Sequence, residues 1–419
     1  MTTKTGVTNG GDGRGGPGKR PKVLLTGGRA PVALEMARLL AAAGCEVHVA
    51  ESMRRYLCRV SNAVAGCHEV PGPAYDPEGF VNGLERIVRR ERIDRIVPTC
   101  EELFYVASGL ERLERWCRVF AAPLDRLRRL HSKWAFIRRV EELGFAVPAT
   151  RLLPDPSAWS DRRAASASAA DGEPAARADG CVLKPEFSRS GAKVRFIRAD
   201  DRWPPVPEER SFPWVAQHYV RGRGLCTYSV AHDGKLAAHA AYAVDYSVRG
   251  GACFYFEPLR HAALTKWVSD FVRLERFTGQ IAFDFIETAD GALYPIECNP
   301  RTTSGIHLFG PDDRLADALL DPESLGDTIA QPRPGTRKML ALPMLALGWR
   351  GRGSRRGLRE WLRKLASARD VVYSRDDPRP FREQWLMLNE LRRIARARGL
   401  TMLEASTADI EWNGSGGLR

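Results

Sequence analysis

The sequence predicts a mixed α/β and α+β protein: a helix-covered parallel sheet first, a strand-rich region in the middle, and a mostly helical extension at the end. Three observations carry this. Apolar strand patterns and amphipathic stretches alternate over residues 22–98. Strand patterns dominate residues 181–298, interrupted by one helical stretch. From about residue 335 the pattern changes to an apolar run and two arginine-rich helices.

Residues 1–20 are rich in glycine and almost devoid of apolar side chains, the composition of a disordered leader. Order is expected from Lys22-Val-Leu-Leu-Thr26, a buried strand; Gly27-Gly28 then turn the chain into a helix over Val32–Ala43 that Gly44 stops. A strand at Glu46–Ala50, a helix at Pro77–Glu91 and a strand at Arg95–Pro98 continue the alternation of a parallel sheet. Residues 131–144 read as a helix that Ser132 caps and Gly144 ends. Residues 155–180, and above all Asp161–Asp179, have the Ala, Ser, Asp and Pro content of a flexible insertion. Strands follow at Cys181–Pro185, Lys193–Arg198, Trp214–Val220, Leu225–His232 and Lys235–Ala243, then a helix at Leu264–Arg276 and strands at Gln280–Glu287 and Ala292–Cys298. The expected divisions are a leader (1–21), an α/β domain (22–125), a second domain (126–330) and a basic extension (331–419).

At 419 residues, 44% hydrophobic and 27% charged, the chain has the make-up of a soluble globular protein of two or three domains. Its nine cysteines include no Cys-x-x-Cys pair, which speaks against a disulfide framework or a zinc site and for the cytoplasm. Cys58, Cys67 and His68 come nearest to a metal cluster and read better as small buried thiols beside a histidine. The net charge of +13 suits anionic substrates, nucleotides or an acidic partner. The run Met339–Leu347 is too short to span a bilayer, and the polar N-terminus does not resemble a secretory signal. No Gly-x4-Gly-Lys-Ser/Thr run occurs, and Gly27-Gly28 lacks the full dinucleotide-binding fingerprint.

The chemistry concentrates in Ile281–Arg301. Asp290-Gly291 signals a two-residue hairpin turn. With those two in the turn, Ala289 faces Ala292, and counting back sets Asp284 opposite Glu297, Cβ atoms roughly 5 Å apart. Facing carboxylates among apolar strands repel unless a proton or cation lies between them, and a hard divalent ion suits their oxygens. Asn299 points to the same face as a third oxygen donor, and Arg301 follows, placed to steady a phosphoryl group or a developing negative charge. Glu287 and Asp290 read as solvated turn residues. Upstream, Lys184 ends a strand before the small-residue loop Ser188-Arg-Ser190-Gly191-Ala-Lys193, whose amides are able to face a phosphate. Lys133 sits at a helix start, where a cation opposes the helix dipole and a bound anion would supply the reason.

In this order the pieces resemble the ATP-grasp superfamily, nearest to its carbamoyl-phosphate-synthase-like and D-alanine-ligase-like branches, over roughly residues 22–310. The resemblance implies an ATP-grasp fold with an N-terminal Rossmann-like pre-ATP-grasp domain. It further implies that Lys133 and Lys184 hold ATP phosphates under the flap bearing Ser188, Ser190 and Gly191, and that the backbone of Gln217, His218, Tyr219 and Val220 binds adenine. Asp284, Glu297 and Asn299 would be the Mg²⁺ ligands, with Mn²⁺ as a substitute, and Arg301 would lie near an acyl phosphate, with Lys184 also at the reacting groups. One departure stands out: Gly224 occupies a position where the family often carries a glutamate. His307 follows the cluster and is open to a substrate or a structural role; Asp245, Arg249, Gly250 and Gly251 fall in a loop that in the family often borders the acceptor site.

The expected function is therefore an ATP- and magnesium-dependent carboxylate–amine ligase acting on small molecules in the cytoplasm. An inactive nucleotide-binding homologue, motivated by Gly224, and a basic nucleic-acid-binding protein, motivated by charge alone, are the alternatives. The helix expected within 350–369, with Arg355, Arg356, Arg359, Arg363 and Lys364, suits a wet cationic face or a dock for an acidic carrier protein, nucleic acid or anionic lipid. A homo-oligomer is also compatible with the chain.

Overall fold

The computed structural model describes residues 20–160, 180–187, 194–198, 204–208, 212–247, 253–350 and 354–414. Most of the expected leader, the 161–179 insertion, the flap residues Ser188, Ser190 and Gly191, and Arg249, Gly250 and Gly251 lie outside the described residues.

The chain opens with five strands: β1 (Lys22–Thr26), β2 (Glu46–Glu51), β3 (Gly66–Glu69), β4 (Arg95–Val97) and β5 (Arg118–Val119). They form one sheet in the order β3-β2-β1-β4-β5, parallel throughout. β1 is apolar along nearly its whole length because both faces are covered, as expected of a parallel sheet. The helix Pro31–Ala42 begins on a proline, whose missing N–H costs nothing there. The helix Pro77–Glu91 is capped by Asp76, which accepts from the Gly79 amide, and ends at Arg92 in the left-handed region. The short strands β3 and β5 were not among the expected elements; neither has a long apolar run to announce it.

A second, antiparallel sheet joins β6 (Thr150–Leu153), β7 (Cys181–Pro185), β8 (Arg195–Ile197) and β9 (Trp214–His218) in the order β6-β9-β7-β8. Next come β10 (Arg223–His232), β11 (Lys235–Ala243), β12 (Tyr255–Phe256), β13 (Gly279–Glu287) and β14 (Leu293–Asn299). Of these, β11-β10-β13-β14 make a third sheet, antiparallel, with β14 at its edge. The helix Ala262–Leu274 lays Trp267 and Phe271 against Phe283 and Phe285, which stack edge to face at 4.9–5.2 Å. That apolar face fixes which side chains of β13 turn the other way, Asp284 among them.

The C-terminal extension is helical over Arg355–Ser367 and Arg379–Arg398, and it also supplies two short strands, β15 (Lys338–Met339) and β16 (Arg369–Asp370), which continue a small sheet in the order β12-β15-β16. It returns to the first sheet's helices: the Arg38 guanidinium donates to the carbonyls of Val371 (3.0 Å) and Val372 (2.9 Å).

Candidate functional site

The β13–β14 hairpin reaches its expected pairing by an unexpected route. Thr288 N donates to Ala292 O (3.0 Å) and Gly291 N to Thr288 O (2.9 Å), so the loop is one residue longer than Asp290-Gly291, with Gly291 at φ +85°. The ladder then runs Glu287↔Leu293, Ile286↔Tyr294 and Phe285↔Pro295, one residue out of the expected register. A bulge at Ile296 restores it, and Asp284 faces Glu297. Pro295 is the sequence signal for this: a mid-strand proline belongs on an edge or at a bulge.

The bulge turns the Ile296 carbonyl toward Lys184, whose Nζ donates to it at 2.9 Å and to Gln217 Oε1 at 2.9 Å. Gln217 is fixed in turn by its Nε2–H bond to Thr150 Oγ1 (2.9 Å). Lys133 arrives from a different element. Ser132 caps the helix Lys133–Glu142 by accepting from Ala135 N (3.0 Å), and its hydroxyl donates to the Glu186 carboxylate. The Glu186 carbonyl accepts from Lys133 N (3.3 Å) and Nζ (3.5 Å). Lys133 Nζ thereby lies 3.9 Å from Glu297 Oε1.

Two ammonium groups, 2% and 4% exposed, thus converge on a half-buried carboxylate pair. Burial pulls the Lys184 amine down to about 8; Glu297 and Asp284 hold it up, and Lys133 pushes it further down. Burial, and then the facing Glu297, push the Asp284 carboxyl up to about 6 against the Cys226 thiol, Arg301 and Lys184. Arg301 Nη2 donates to Asn299 Oδ1 (3.0 Å) and lies 3.9 Å from Glu101 Oε1, while its buried Nε–H has no partner among the described residues.

The hinge after β9 is partly committed to the fold. His218 N donates to Ala149 O (2.8 Å) and Tyr219 N to Gly180 O (3.1 Å), so these two amides are taken. Val220 N makes no hydrogen bond among the described residues. Other expectations change with tertiary contacts. His307 is 1% exposed and pairs with Glu35 (3.1 Å), so its ring is engaged inside the fold. Glu287 is not a solvated turn residue: it accepts from His261 Nε2 at 2.8 Å. Asp245 is joined to Lys364 of the extension at 2.8 Å. Cys67 is exposed rather than buried, and among the described residues no group of three or more His, Cys, Asp and Glu side chains is placed to hold a metal. Gly224 has a local reason: a Cβ there would stand 3.1 Å from the Val244 side chain. Sequence reading missed Glu186, Thr150 and Glu101, which touch the site only through long-range contacts.

Residues 130–305 match the family model of an ATP-grasp domain. In backbone structure the chain is similar to the L-amino acid ligase from Bacillus licheniformis (TM-score 0.56, 14% identity, 76% of this chain and 79% of that one). It is also similar to N5-carboxyaminoimidazole synthetase from Staphylococcus aureus (0.53, 13%, 79% and 87%) and to biotin carboxylase from Campylobacter jejuni (0.54, 13%, 72% and 70%). No curated protein matches it by sequence. Residues 130–305 of the chain thus form an ATP-grasp domain, and the backbone is that of an ATP-grasp fold.

Proposed function

We propose that the chain is an ATP- and magnesium-dependent ligase that activates a carboxylate as an acyl phosphate and joins it to an amine or similar nucleophile, releasing ADP and phosphate. The observation that carries this is the Asp284–Glu297 pair, flanked by two buried lysines and followed by Arg301. Facing carboxylates are costly without a cation between them. Two carboxylates and the Asn299 amide form a hard oxygen set of the kind magnesium takes, and the Asp284 carboxyl is raised by burial and then by the facing Glu297, a cost that such an ion would offset. Bound there, Mg²⁺ or Mn²⁺ would offset charge on the phosphate oxygens.

In this reading Lys133 and Lys184 hold ATP phosphates, each already positioned by carbonyl oxygens of the site. Ser188, Ser190 and Gly191 cover the phosphates, and the segment Gln217–Val220 takes the adenine, with the free Val220 amide as its donor. The Arg301 guanidinium steadies negative charge on the activated acid. The S. aureus synthetase has been solved with ADP, and the Hydrogenobacter thermophilus biotin carboxylase domain with MgADP, which supports the same ligands here. Among the described residues no helix is long and apolar enough to cross a membrane; a cytoplasmic enzyme of small-molecule substrates is the matching proposal. The exposed Arg355, Arg359 and Arg363 make an acidic carrier protein a fitting partner.

Gly224 favours a second reading, a nucleotide-binding homologue without turnover, since no side chain from that position reaches the nucleotide. An ADP-release screen over pairs of acids and amines separates the two. Turnover that Glu297→Gln abolishes supports the ligase; magnesium-dependent nucleotide binding with no turnover across the screen supports the homologue. Absence of that binding sinks both.

A further inference from the structure

Away from the carboxylate pair, the most elaborately built polar site lies at the carboxyl ends of β1 and β2, where open α/β sheets bind ligands. Arg29 follows the Gly27-Gly28 turn and is 6% exposed. Glu51, the last residue of β2, locks it from one side by accepting from Arg29 N (2.9 Å), Nε (3.1 Å) and Nη2. The same carboxylate accepts from the amides of Ser52 (2.7 Å) and Met53 (3.1 Å), so it has little capacity left. What remains of Arg29 is the outer edge of its fork, held rigid and facing away from β2.

A carboxylate occupies that edge, and it comes from the far end of the chain. Arg29 Nη1 and Nη2 donate to the two oxygens of Asp409 at 2.6 and 2.8 Å, a fork-to-fork pair. Ser52 Oγ, which accepts from Arg29 Nη2 (2.6 Å), donates to the same Asp409 at 2.6 Å. The segment bearing Asp409 meets the domain beneath it through main-chain groups: Arg29 Nη1 to Ser406 O (3.2 Å), Ala74 N to Asp409 O (2.9 Å), Tyr105 Oη to Glu411 O (3.0 Å) and Trp412 N to Glu101 Oε2 (3.2 Å). Trp412 then fills an aromatic slot, stacked on Phe104 at 4.5 Å and edge-on to Phe187 at 5.5 Å.

We propose that Arg29 and Ser52 form a binding site for a small carboxylate ligand, and that Asp409 is its built-in, displaceable occupant. Without the tail the guanidinium is still held by Glu51 and Ser52. The site selects carboxylates, because the fork and one hydroxyl match two planar oxygens. Displacement reaches the candidate active site through Glu101, which accepts from Trp412 N and also faces Arg301 at 3.9 Å. The site goes beyond the ligase reading and does not depend on it.

The test uses the full-length chain and no turnover. Asp409→Ala empties the site while leaving Glu51 and Arg29 in place. Acetate and succinate should then raise its Tm saturably above chloride at equal ionic strength. The wild type should show the rise only at higher concentration, because Asp409 competes for the site, and the Asp409→Ala/Arg29→Gln double variant should show none. An equal response in the double variant, or none beyond chloride in Asp409→Ala, overturns the proposal. Should Asp409→Ala not fold, hydrogen exchange on the wild type decides. Succinate should accelerate exchange over residues 404–414 and nowhere else; unchanged exchange there refutes a displaceable tail.

Discussion

Lys184 Nζ lies 2.9 Å from the carbonyl of Ile296, the residue that bulges from β14 immediately before Glu297. One irregularity therefore does two things. It sets Glu297 opposite Asp284, and it turns a main-chain oxygen toward a buried ammonium that also donates to Gln217. A bulge beside a site is a device for re-aiming a side chain, and here it positions a cation as well.

Glu297→Gln should abolish magnesium-dependent ADP release, a loss of about 100-fold or more if Glu297 holds charge at the reacting phosphate. The swap is isosteric, so circular dichroism and gel filtration should match the wild type. Substantial residual turnover would remove Glu297 from the metal site.

The pH dependence of stability should carry two signatures of opposite sign. Asp284, raised from 3.8 to about 6 by burial and Glu297, binds its proton more tightly folded than unfolded, so its contribution to stability falls as pH rises through that window. Lys184, lowered from 10.5 to about 8 by burial, costs stability while charged, and that cost fades as pH rises from about 8 to 10.5. Urea midpoints of the wild type should differ from Asp284→Asn with a slope in the first window and from Lys184→Met in the second. A flat difference profile contradicts the assignment.

Arg301→Gln should lower kcat by roughly 100-fold while leaving nucleotide affinity near the wild-type value, because the guanidinium is tied to Asn299, Thr302 and Glu101 and presents its buried Nε–H, unpartnered among the described residues, to a ligand. Calorimetric titration with ADP and a steady-state assay separate the two effects. A parallel fall in nucleotide affinity would place Arg301 on ATP instead.

His261→Ala serves as a structural contrast. His261 caps the helix Ala262–Leu274 by accepting from Leu264 N at 3.1 Å on Nδ1, which leaves Nε2 to donate to Glu287 at 2.8 Å. Losing cap and partner together should cost about 1–2 kcal/mol of stability. Turnover below the melting range should stay unchanged; a kinetic defect there would mean that the helix helps to set the β13 register.

What the sequence alone determined was local. The strands Lys22–Thr26, Cys181–Pro185 and Lys235–Ala243, the helix Pro77–Glu91 and the Ser132 cap are legible because their signals lie within a few residues of one another. The Asp284–Glu297 pairing was legible too, although the longer loop and the bulge that produce it were not; an error of one residue in the turn was cancelled by one in the strand. Tertiary structure decided everything that required distant segments to meet. It brought Lys133 and Lys184 from separate elements onto the carboxylates, buried His307 against Glu35, and carried Asp409 back to Arg29 across 380 positions. Period and turn chemistry fix which face a side chain takes, but which face meets which is set by packing of the whole chain, and no short stretch of sequence contains it.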